Sequence, residues 1–274
     1  MPFFNEYAPI PALRGLIRSY KIYHVKWDEE KDLTPPFITC LANTEQNLYL
    51  LPRDPMSVVP AERVHIPAPA AIITGPKTKP VGLMFGKDHL MIKVEFQPTG
   101  IHRLFGFNMK AVVDKGLEAS TIVGDEIEGV LGKLRRVTAY EEMAEIASAF
   151  MYEKYTERCK ASEPIDQAAT EMLDAVNEHS LTEWADKACL SMRQFERNFG
   201  QRVGMGPKLF IRIRRFELAM QLKNDSQRTW SEIAMECNYA DSSHLLKEFK
   251  RFAEFPPSKF YLNPTSGHSS LATA

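Results

Sequence analysis

The stretch TWSEIAMECNYADSSHLLKEFKRF, residues 229–252, has a counterpart 49 residues earlier in SLTEWADKACLSMRQFERNF, residues 180–199. Both begin with a capping box, a Ser or Thr followed three residues later by Glu, at Ser180 and at Thr229. In this pattern the hydroxyl and the carboxylate bond the free amides at the start of a helix. The repeat therefore predicts two copies of one supersecondary unit.

A second cap marks the second helix of each copy. Ser191, with Gln194 three residues later, is the new cap in the first copy, and Asp241 or Ser242 is the cap in the second. Asn238 lies where the first helix of the second copy must end, and Asn tolerates the left-handed backbone that such a turn needs. Each copy is thus expected to form a helix-turn-helix, a motif whose second helix lies in the major groove of DNA.

Apolar residues four apart predict which side of each second helix is buried. Phe195 and Phe199 play this part in the first copy, and Leu245 and Phe249 in the second. Arg and Gln can each form two hydrogen bonds to the edge of one base, Ser can contact bases or phosphates, and Lys suits phosphates. The alternative is a pair of hairpins with merely solvated charges. The outward side chains, and so the candidate DNA-binding residues, are Met192, Arg193, Gln194, Glu196 and Arg197 in the helix predicted at 191–200, and Ser242, Ser243, His244, Leu246, Lys247 and Lys250 in the helix predicted at 242–252.

The segment between the copies, residues 207–224, is predicted to be one helix. Leu209, Ile213, Phe216 and Met220 recur along one side of it. About 17 helical residues span about 25 Å, enough to hold two recognition helices roughly one DNA turn (~34 Å) apart.

Charge is unevenly distributed along the 274-residue chain, whose net charge is −1. Residues 187–262 contain 14 Lys/Arg and 8 Asp/Glu, a net of +6, which leaves −7 for the remainder. A basic module attached to an acidic one is typical of a polyanion-binding end with a differently employed partner domain.

The first 120 residues favour short β-strands. Residues 90–96 alternate apolar and polar, residues 16–27 are rich in Tyr, Ile and Val, and residues 47–51 form a short apolar run before Pro52. Prolines break these runs at turn-like intervals, which favours a barrel or a sandwich.

Helical spacing follows this β-rich part of the chain. Thr138-x-x-Glu141 is a capping box, and an apolar stripe comes after it. We expect the stripe to be core against the barrel, with a helix pair across a dimer axis as the alternative. Pro164 suits the first turn of a helix, so a linker is placed at 158–164. The Ser-, Gly- and Thr-rich end, residues 263–274, is predicted to be a flexible tail. The stripe comprises Tyr140, Met143, Ala144, Ala147, Phe150 and Met151.

Several kinds of chemistry lack a sequence signal. The four cysteines are far apart, which favours a reducing cytoplasm over a disulfide framework, and Cys237 is expected to be a buried, inert thiol. The seven histidines show no metal-ligand spacing, and no GxSxG, P-loop or GxGxxG motif occurs. No run approaches the ~20 apolar residues of a membrane span. We therefore expect no enzyme, no cofactor, no metal and no membrane association.

The residues of the second copy closely resemble those of the AraC/XylS family of bacterial transcription regulators. Its most specific stretch reads Ile233-Ala234-x-x-Cys237-Asn238-Tyr239-x-Asp241-Ser242-Ser243-His244-Leu245-x-x-x-Phe249-Lys250-Arg251-Phe252-x-x-x-Pro256-Pro257-Ser258-x-Phe260. The first copy adds Leu181, Ala185 and Ser191-x-Arg193-x-Phe195-x-Arg197-x-Phe199, and together they cover about 100 residues. Asn238 and Glu254 stand where the family usually has glycine, and Gly206 where it more commonly has serine.

A weaker resemblance concerns the N-terminal part. Gly75-Pro76-x-Thr78 and Phe96-x-Pro98-x-Gly100-x-x-x-Leu104-Phe105-Gly106 are similar to the cupin-like domain of one branch of that family. The resemblance implies an α+β protein. A cupin-like β-barrel with flanking helices (1–157) would be followed, after the linker, by an all-α domain of two helix-turn-helix units joined by a long helix (165–262).

The function that this resemblance implies is promoter binding at double-stranded DNA. It also implies contact with RNA polymerase and often a small-molecule effector in the barrel, whose binding residues the sequence does not name. Two alternatives stay open: a cupin-type enzyme fused to a DNA-binding module, and an effector-independent dimer that binds DNA.

Overall fold

The structure, a computed structural model, describes residues 3–27, 37–59, 65–175, 177–225, 228–257, 261–262 and 271–273. Its strands are β1 (Phe3–Tyr7), β2 (Ile17–Lys26), β3 (Phe37–Cys40), β4 (Gln46–Leu50), β5 (Met56–Val59), β6 (Ile66–Pro67), β7 (Ala71–Thr74), β8 (Val81–Phe85), β9 (Asp88–Phe96), β10 (Gly116–Glu118), β11 (Tyr261–Leu262) and β12 (Leu271–Thr273). Its α-helices are α1 (Gly100–Phe105), α2 (Ser120–Val123), α3 (Glu126–Leu134), α4 (Tyr140–Arg158), α5 (Pro164–Glu171), α6 (Leu181–Lys187), α7 (Met192–Val203), α8 (Pro207–Asp225), α9 (Trp230–Glu236) and α10 (Ser242–Ala253). Short 3₁₀ helices occur at Pro11–Leu13 and Met109–Val112.

The strands form two antiparallel sheets, which are built from the N-terminal half apart from β11 and β12. One has the strand order β1-β2-β9-β4-β7-β10 and the other β11-β12-β3-β8-β5-β6. The predicted α+β class is confirmed, but over the described residues the sheets stay separate instead of closing into the expected barrel. Proline supplies no amide to a ladder, and Pro67 lies in the two-residue edge strand β6, where pairing ends.

The central strand β9 is buried on both faces. Leu90, Ile92, Val94 and Phe96 join the main core of the N-terminal half. Residues of the opposite parity point to the second sheet, because successive side chains on a strand alternate. Met91 is one of them and packs with Met56 of β5. The strands predicted near residues 16–27, 47–51 and 90–96 are confirmed.

Helix α4 covers the first sheet. Met143, Ala144, Ala147, Phe150 and Met151 are buried in the N-terminal core, which confirms that the predicted stripe is core. The predicted cap at Thr138 is wrong: the helix begins after Ala139, and no side chain caps it. Glu141 instead accepts a hydrogen bond from the Tyr7 hydroxyl (3.3 Å), which joins α4 to β1 of the first sheet.

A second core holds the C-terminal helices together. It contains α5 to α10 residues such as Trp184, Phe199, Phe216 and Phe249, and Leu41 and Ala42 of the N-terminal half join it. The segment predicted as a linker spans the end of α4 and the start of α5, whose first residue is Pro164 as expected. Within it the Lys160 amide donates to the Arg103 carbonyl (2.9 Å).

The segment predicted to be a flexible tail lies largely outside the described residues, which include only 271–273 of it. Those three residues depart from the expectation, because they form β12 and pair with β3. The edge of β3 offers unpaired backbone groups, which a further strand can satisfy. Over the described residues, none of the helices has the length and apolar character needed to cross a membrane.

One buried histidine makes stability depend on pH. His89 on β9 is 2% exposed and stacks on Phe85, with ring centroids 4.2 Å apart. Burial lowers the pKa of His89 to about 4, against the pull of Asp54. The unfolded chain, with an ordinary histidine pKa near 6.5, therefore binds the proton more readily than the folded protein between pH 6.5 and 4.

We expect His89→Leu to remove this pH dependence. In the wild type the free energy of unfolding should fall as pH drops from 7 to 4 by roughly 3 kcal/mol more than in the variant, because each pKa unit corresponds to ~1.4 kcal/mol. Urea unfolding at both pH values measures the difference. The exposed His65→Leu serves as the control and should keep the wild-type slope. Parallel slopes for wild type and His89→Leu would contradict the assignment.

Candidate nucleic-acid interface

Both copies of the repeat form the predicted helical hairpin. The Ser180 hydroxyl caps α6 and the Thr229 hydroxyl caps α9, each in a reciprocal capping box. The second helices also begin where predicted. Ser191 caps α7 in a capping box with Gln194, and Asp241 caps α10 by accepting from the His244 amide (2.7 Å).

The turn has the same geometry in both hairpins. Asn238 has a φ of 56°, in the left-handed region as predicted, and Cys189 has a φ of 55° at the equivalent position of the first copy. In each turn the next amide returns to the small residue of the first helix, from Leu190 to Ala185 (3.0 Å) and from Tyr239 to Ala234 (2.8 Å). The Cys189 conformation was missed, although aligning the two copies places this residue opposite Asn238.

Each hairpin packs on its own part of α8. Phe199 meets Phe210 near the start of this helix, with centroids 5.4 Å apart, and Phe249 and Phe252 meet Phe216 farther along it (5.9 and 5.5 Å). The buried face of α8 differs by one residue from the prediction, because Phe210 is fully buried and Leu209 only partly. Helix α8 is therefore a common support for α7 and α10.

The predicted recognition residues lie on the surface of α7 and α10. The exposed ones are Arg193, Gln194, Glu196 and Arg197 on α7 and Ser243, His244, Lys247 and Lys250 on α10. Met192, Ser242 and Leu246 are half-buried, and Met192 packs against the C-terminal core. Contact of these residues with DNA stays a prediction.

Several basic residues counted in the +6 net charge form ion pairs and hydrogen bonds within the protein. Arg212 forms a bidentate ion pair with Glu248 on α10 (2.7 and 2.9 Å). Arg214 donates to the Leu173 carbonyl (2.7 Å) and pairs with Glu217 (3.0 Å). These arginines hold helices together. Their partners Glu248 and Glu217 are among the eight acidic residues counted, so the two pairs cancel and the net of +6 stays, carried by fewer free cations.

Two other residues of the second hairpin matter for its chemistry. Cys237 is buried as predicted, and burial raises the pKa of its thiol to about 11. Glu254 ends α10 in the left-handed region with a φ of 60°. Both residues that replace a family glycine, Asn238 and Glu254, therefore keep the backbone conformation that glycine favours.

A cavity of about 1060 Å³ lies between the two N-terminal sheets. Its walls are mostly apolar, with Met56, Ile72, Leu83 and Met91 among them, and α10 closes one side through Ala253, Glu254 and Phe255.

A few polar side chains also reach this cavity. Lys93 is buried and pairs with Glu45 (2.7 Å) and Glu95 (3.3 Å). Burial opposes its charge, yet the two carboxylates raise the pKa of Lys93 well above its usual range. Lys77 and Thr74 line the same space, and the Thr74 hydroxyl has no hydrogen-bond partner among the described residues. No group of side chains in the described part of the chain is arranged to hold a metal ion.

Residues 184–262 match a family model described as a helix-turn-helix domain. This segment is a helix-turn-helix domain. An uncharacterized HTH-type transcriptional regulator from Haemophilus influenzae is 32% identical over 84 residues, 31% of this chain and 28% of that protein. The HTH-type transcriptional activator RhaS from Citrobacter koseri is 32% identical over 73 residues, 27% of this chain and 26% of that protein.

The matched segment thus spans little more than a quarter of each of these relatives. Over the whole fold, the structure of ToxT from Vibrio cholerae O395 superposes with a TM-score of 0.44 at 11% identity, covering 87% of this chain and 95% of that one. The assignment of a helix-turn-helix domain therefore rests on the sequence match and on the hairpin geometry.

The left-handed turn residues give a test of the hairpin geometry. Cys189→Gly should raise the free energy of unfolding by about 0.5–1 kcal/mol, because glycine relieves the left-handed backbone and loses part of the gain to its flexible unfolded state. Asn238→Gly should gain less, since Asn already tolerates this region.

Thermal and urea unfolding measure both variants of the turn. The control is Glu145→Gly, at an exposed position in the middle of α4, which should destabilise by about 1 kcal/mol. Destabilisation by Cys189→Gly would show that the first turn does not have the geometry described.

Proposed function

We propose that this chain is a sequence-specific DNA-binding transcriptional regulator that inserts α7 and α10 into successive major-groove segments of a promoter. The duplicated hairpin on the common support α8 carries this proposal. An α-helix fits the major groove, and its N-terminal residues reach base edges there.

The exposed side chains divide into two roles. Arg193, Gln194 and Ser243 lie in the first turns of α7 and α10, where residues of a recognition helix meet bases. Lys247 and Lys250 lie one and two turns farther along α10 and suit phosphate contacts, which position the protein without reading sequence. Arg197 on α7 serves either role.

The DNA-binding test uses the triple variant Arg193→Ala, Arg197→Ala and Lys247→Ala. Binding to the best site in the DNA upstream of the protein's own gene, found by footprinting, should weaken at least 100-fold, since each good base contact contributes about 1–3 kcal/mol. Wild-type affinity should also fall steeply with salt, because phosphate contacts release counterions. Fluorescence anisotropy titrations measure both effects.

The matched control removes basic residues far from the hairpins. Arg135→Ala with Arg136→Ala, exposed just after α3, should leave affinity unchanged. Retained binding by the triple variant, or an affinity nearly independent of salt, would contradict the assignment of α7 and α10.

We propose further that the cavity between the sheets binds a small-molecule effector. Ligand sites are concave and mostly apolar with a few placed polar groups, and this cavity combines apolar walls with Lys77, Lys93 and Thr74. A regulator of this kind acts in the cytoplasm, where the promoter is, and has no catalytic step. One relative is named an activator, and we extend to this chain a contact with RNA polymerase. An effector-independent dimer is the alternative.

Two methionine substitutions, one in the cavity and one outside it, test the proposed effector site. The apolar anionic fluorophore 1-anilinonaphthalene-8-sulfonate should bind the wild type at one site, and Met91→Trp, which fills the cavity, should weaken binding at least tenfold. Met235→Trp is the control, because Met235 is 81% exposed on α9 and far from the cavity lining. Equal binding by all three proteins would contradict an effector site between the sheets.

A further inference from the structure

Six residues of the N-terminal half, LANTEQ at 41–46, reach into the C-terminal domain. We call them the interdomain wedge. They connect β3 to β4, which belong to different sheets. The side chains of Leu41 and Ala42 are buried in the core of the C-terminal helices and not in the N-terminal core. The wedge therefore packs as a part of the DNA-binding domain, although the sheets place it.

Backbone pairing fixes the wedge to the N-terminal half of the protein. Asn43 and Lys77 exchange two backbone hydrogen bonds, each 2.9 Å long. Gln46 is already in register with Phe96 of β9. The Asn43 side chain donates to the Leu41 carbonyl (2.9 Å) and stiffens the wedge internally.

The wedge contacts the common support α8 through Thr44. The Glu217 carboxylate accepts hydrogen bonds from the Thr44 amide (2.6 Å) and from the Thr44 hydroxyl (3.0 Å), and it pairs with Arg214 on its own helix. Glu217 is 8% exposed. A buried carboxylate needs such partners, because leaving it unpaired costs several kcal/mol.

The wedge also contacts both recognition helices. The side-chain amide of Gln46 donates to the carbonyls of Arg202 (3.3 Å) and Val203 (3.1 Å), which lie at the C-terminal end of α7 where no further turn of the helix bonds them. The same nitrogen also donates to the Pro98 carbonyl of the N-terminal half. At the other hairpin the Ala42 amide donates to the Phe252 carbonyl of α10 (3.4 Å). One short segment thus holds the end of α7, the middle of α8 and the end of α10.

We propose that the interdomain wedge fixes α7 relative to α10 and so determines which spacing between two half-sites this protein accepts, with Thr44 and Gln46 as the positioning residues. This inference rests on the proposed function. Without the wedge, α7 would keep its contacts with the 3₁₀ helix Met109–Val112, with α1 and with α5, whereas α10 would be held by α8 and α9. The connection between the two hairpins would then pass mainly through α8.

Spacing is a sensitive readout of this geometry. Each added base pair moves one half-site by about 3.4 Å along the duplex and rotates it by roughly 35° around the axis. Two recognition helices held rigidly cannot both reach their half-sites when the spacing changes, so affinity falls. Two loosely held helices adapt to each spacing, and their affinity is lower but similar at all spacings. A residue that only stabilised the fold would not change the dependence on spacing.

The experiment starts from the best binding site, selected by the wild-type full-length protein from random-sequence duplexes. Duplexes with one or two base pairs added or removed between the half-sites are then titrated with the wild type and with Thr44→Val/Gln46→Leu. The wild type should lose at least tenfold in affinity per base pair. The double variant should bind all spacings within about threefold of each other.

Two controls isolate the effect on spacing. Thr44→Ser keeps the hydroxyl and should keep the wild-type profile. Arg193→Ala should weaken binding equally at every spacing, because it removes a contact and leaves the geometry intact. Circular dichroism checks that each variant is folded. If the double variant is unfolded, Gln46→Leu and Thr44→Val are titrated singly, and each should flatten the profile partly.

The outcomes separate this inference from the proposed function. A wild-type protein that selects no DNA sequence overturns the proposed function. A wild type that binds with strict spacing, together with folded wedge variants that keep the same strict spacing, overturns the wedge alone and assigns the geometry to α8. A wild type that already tolerates every spacing overturns the wedge as well.

Discussion

The burial of one carboxylate ties the two halves of the molecule together. Glu217 lies on α8, the helix that supports both hairpins, and its partners are Arg214 on the same helix and Thr44 in the interdomain wedge. Burial raises the pKa of Glu217 while Arg214 opposes the shift. A buried ion pair adds little over an apolar contact, but removing one partner is costly. Its effect is therefore to specify how the halves dock.

The interdomain wedge connects the proposed effector cavity with the proposed DNA interface. Cys40, just before the wedge, and Glu45 within it line the cavity, and so does Phe255 just beyond α10. Packed interiors have few voids, so a ligand that fills the cavity meets the wedge directly. Such a ligand shifts the DNA-binding geometry only as far as its affinity differs between two wedge positions.

Local features of this protein could be predicted from its sequence, and long-range ones could not. The caps at Ser180, Ser191 and Thr229 are hydrogen bonds across three residues, so the local pattern contains all of their information. The pairing of Arg212 with Glu248 joins residues 36 apart, and a count of charges treats both as surface. The place of Leu41 in the C-terminal core is longer in range still and left no periodic signal.

The predicted recognition residues include few exposed cations. In the proposed function this makes the position of one hairpin relative to the other important for binding. Among the predicted recognition residues, the exposed cations are Arg193 and Arg197 of α7 and Lys247 and Lys250 of α10. In the proposed function one hairpin alone, with few phosphate contacts, would bind DNA weakly and with little discrimination. Two linked hairpins bind far more tightly, because the second contact is intramolecular, but only where the geometry permits both at once. A stiff connection therefore converts two weak helices into one selective reader, and in this chain the connection includes residues from the other domain.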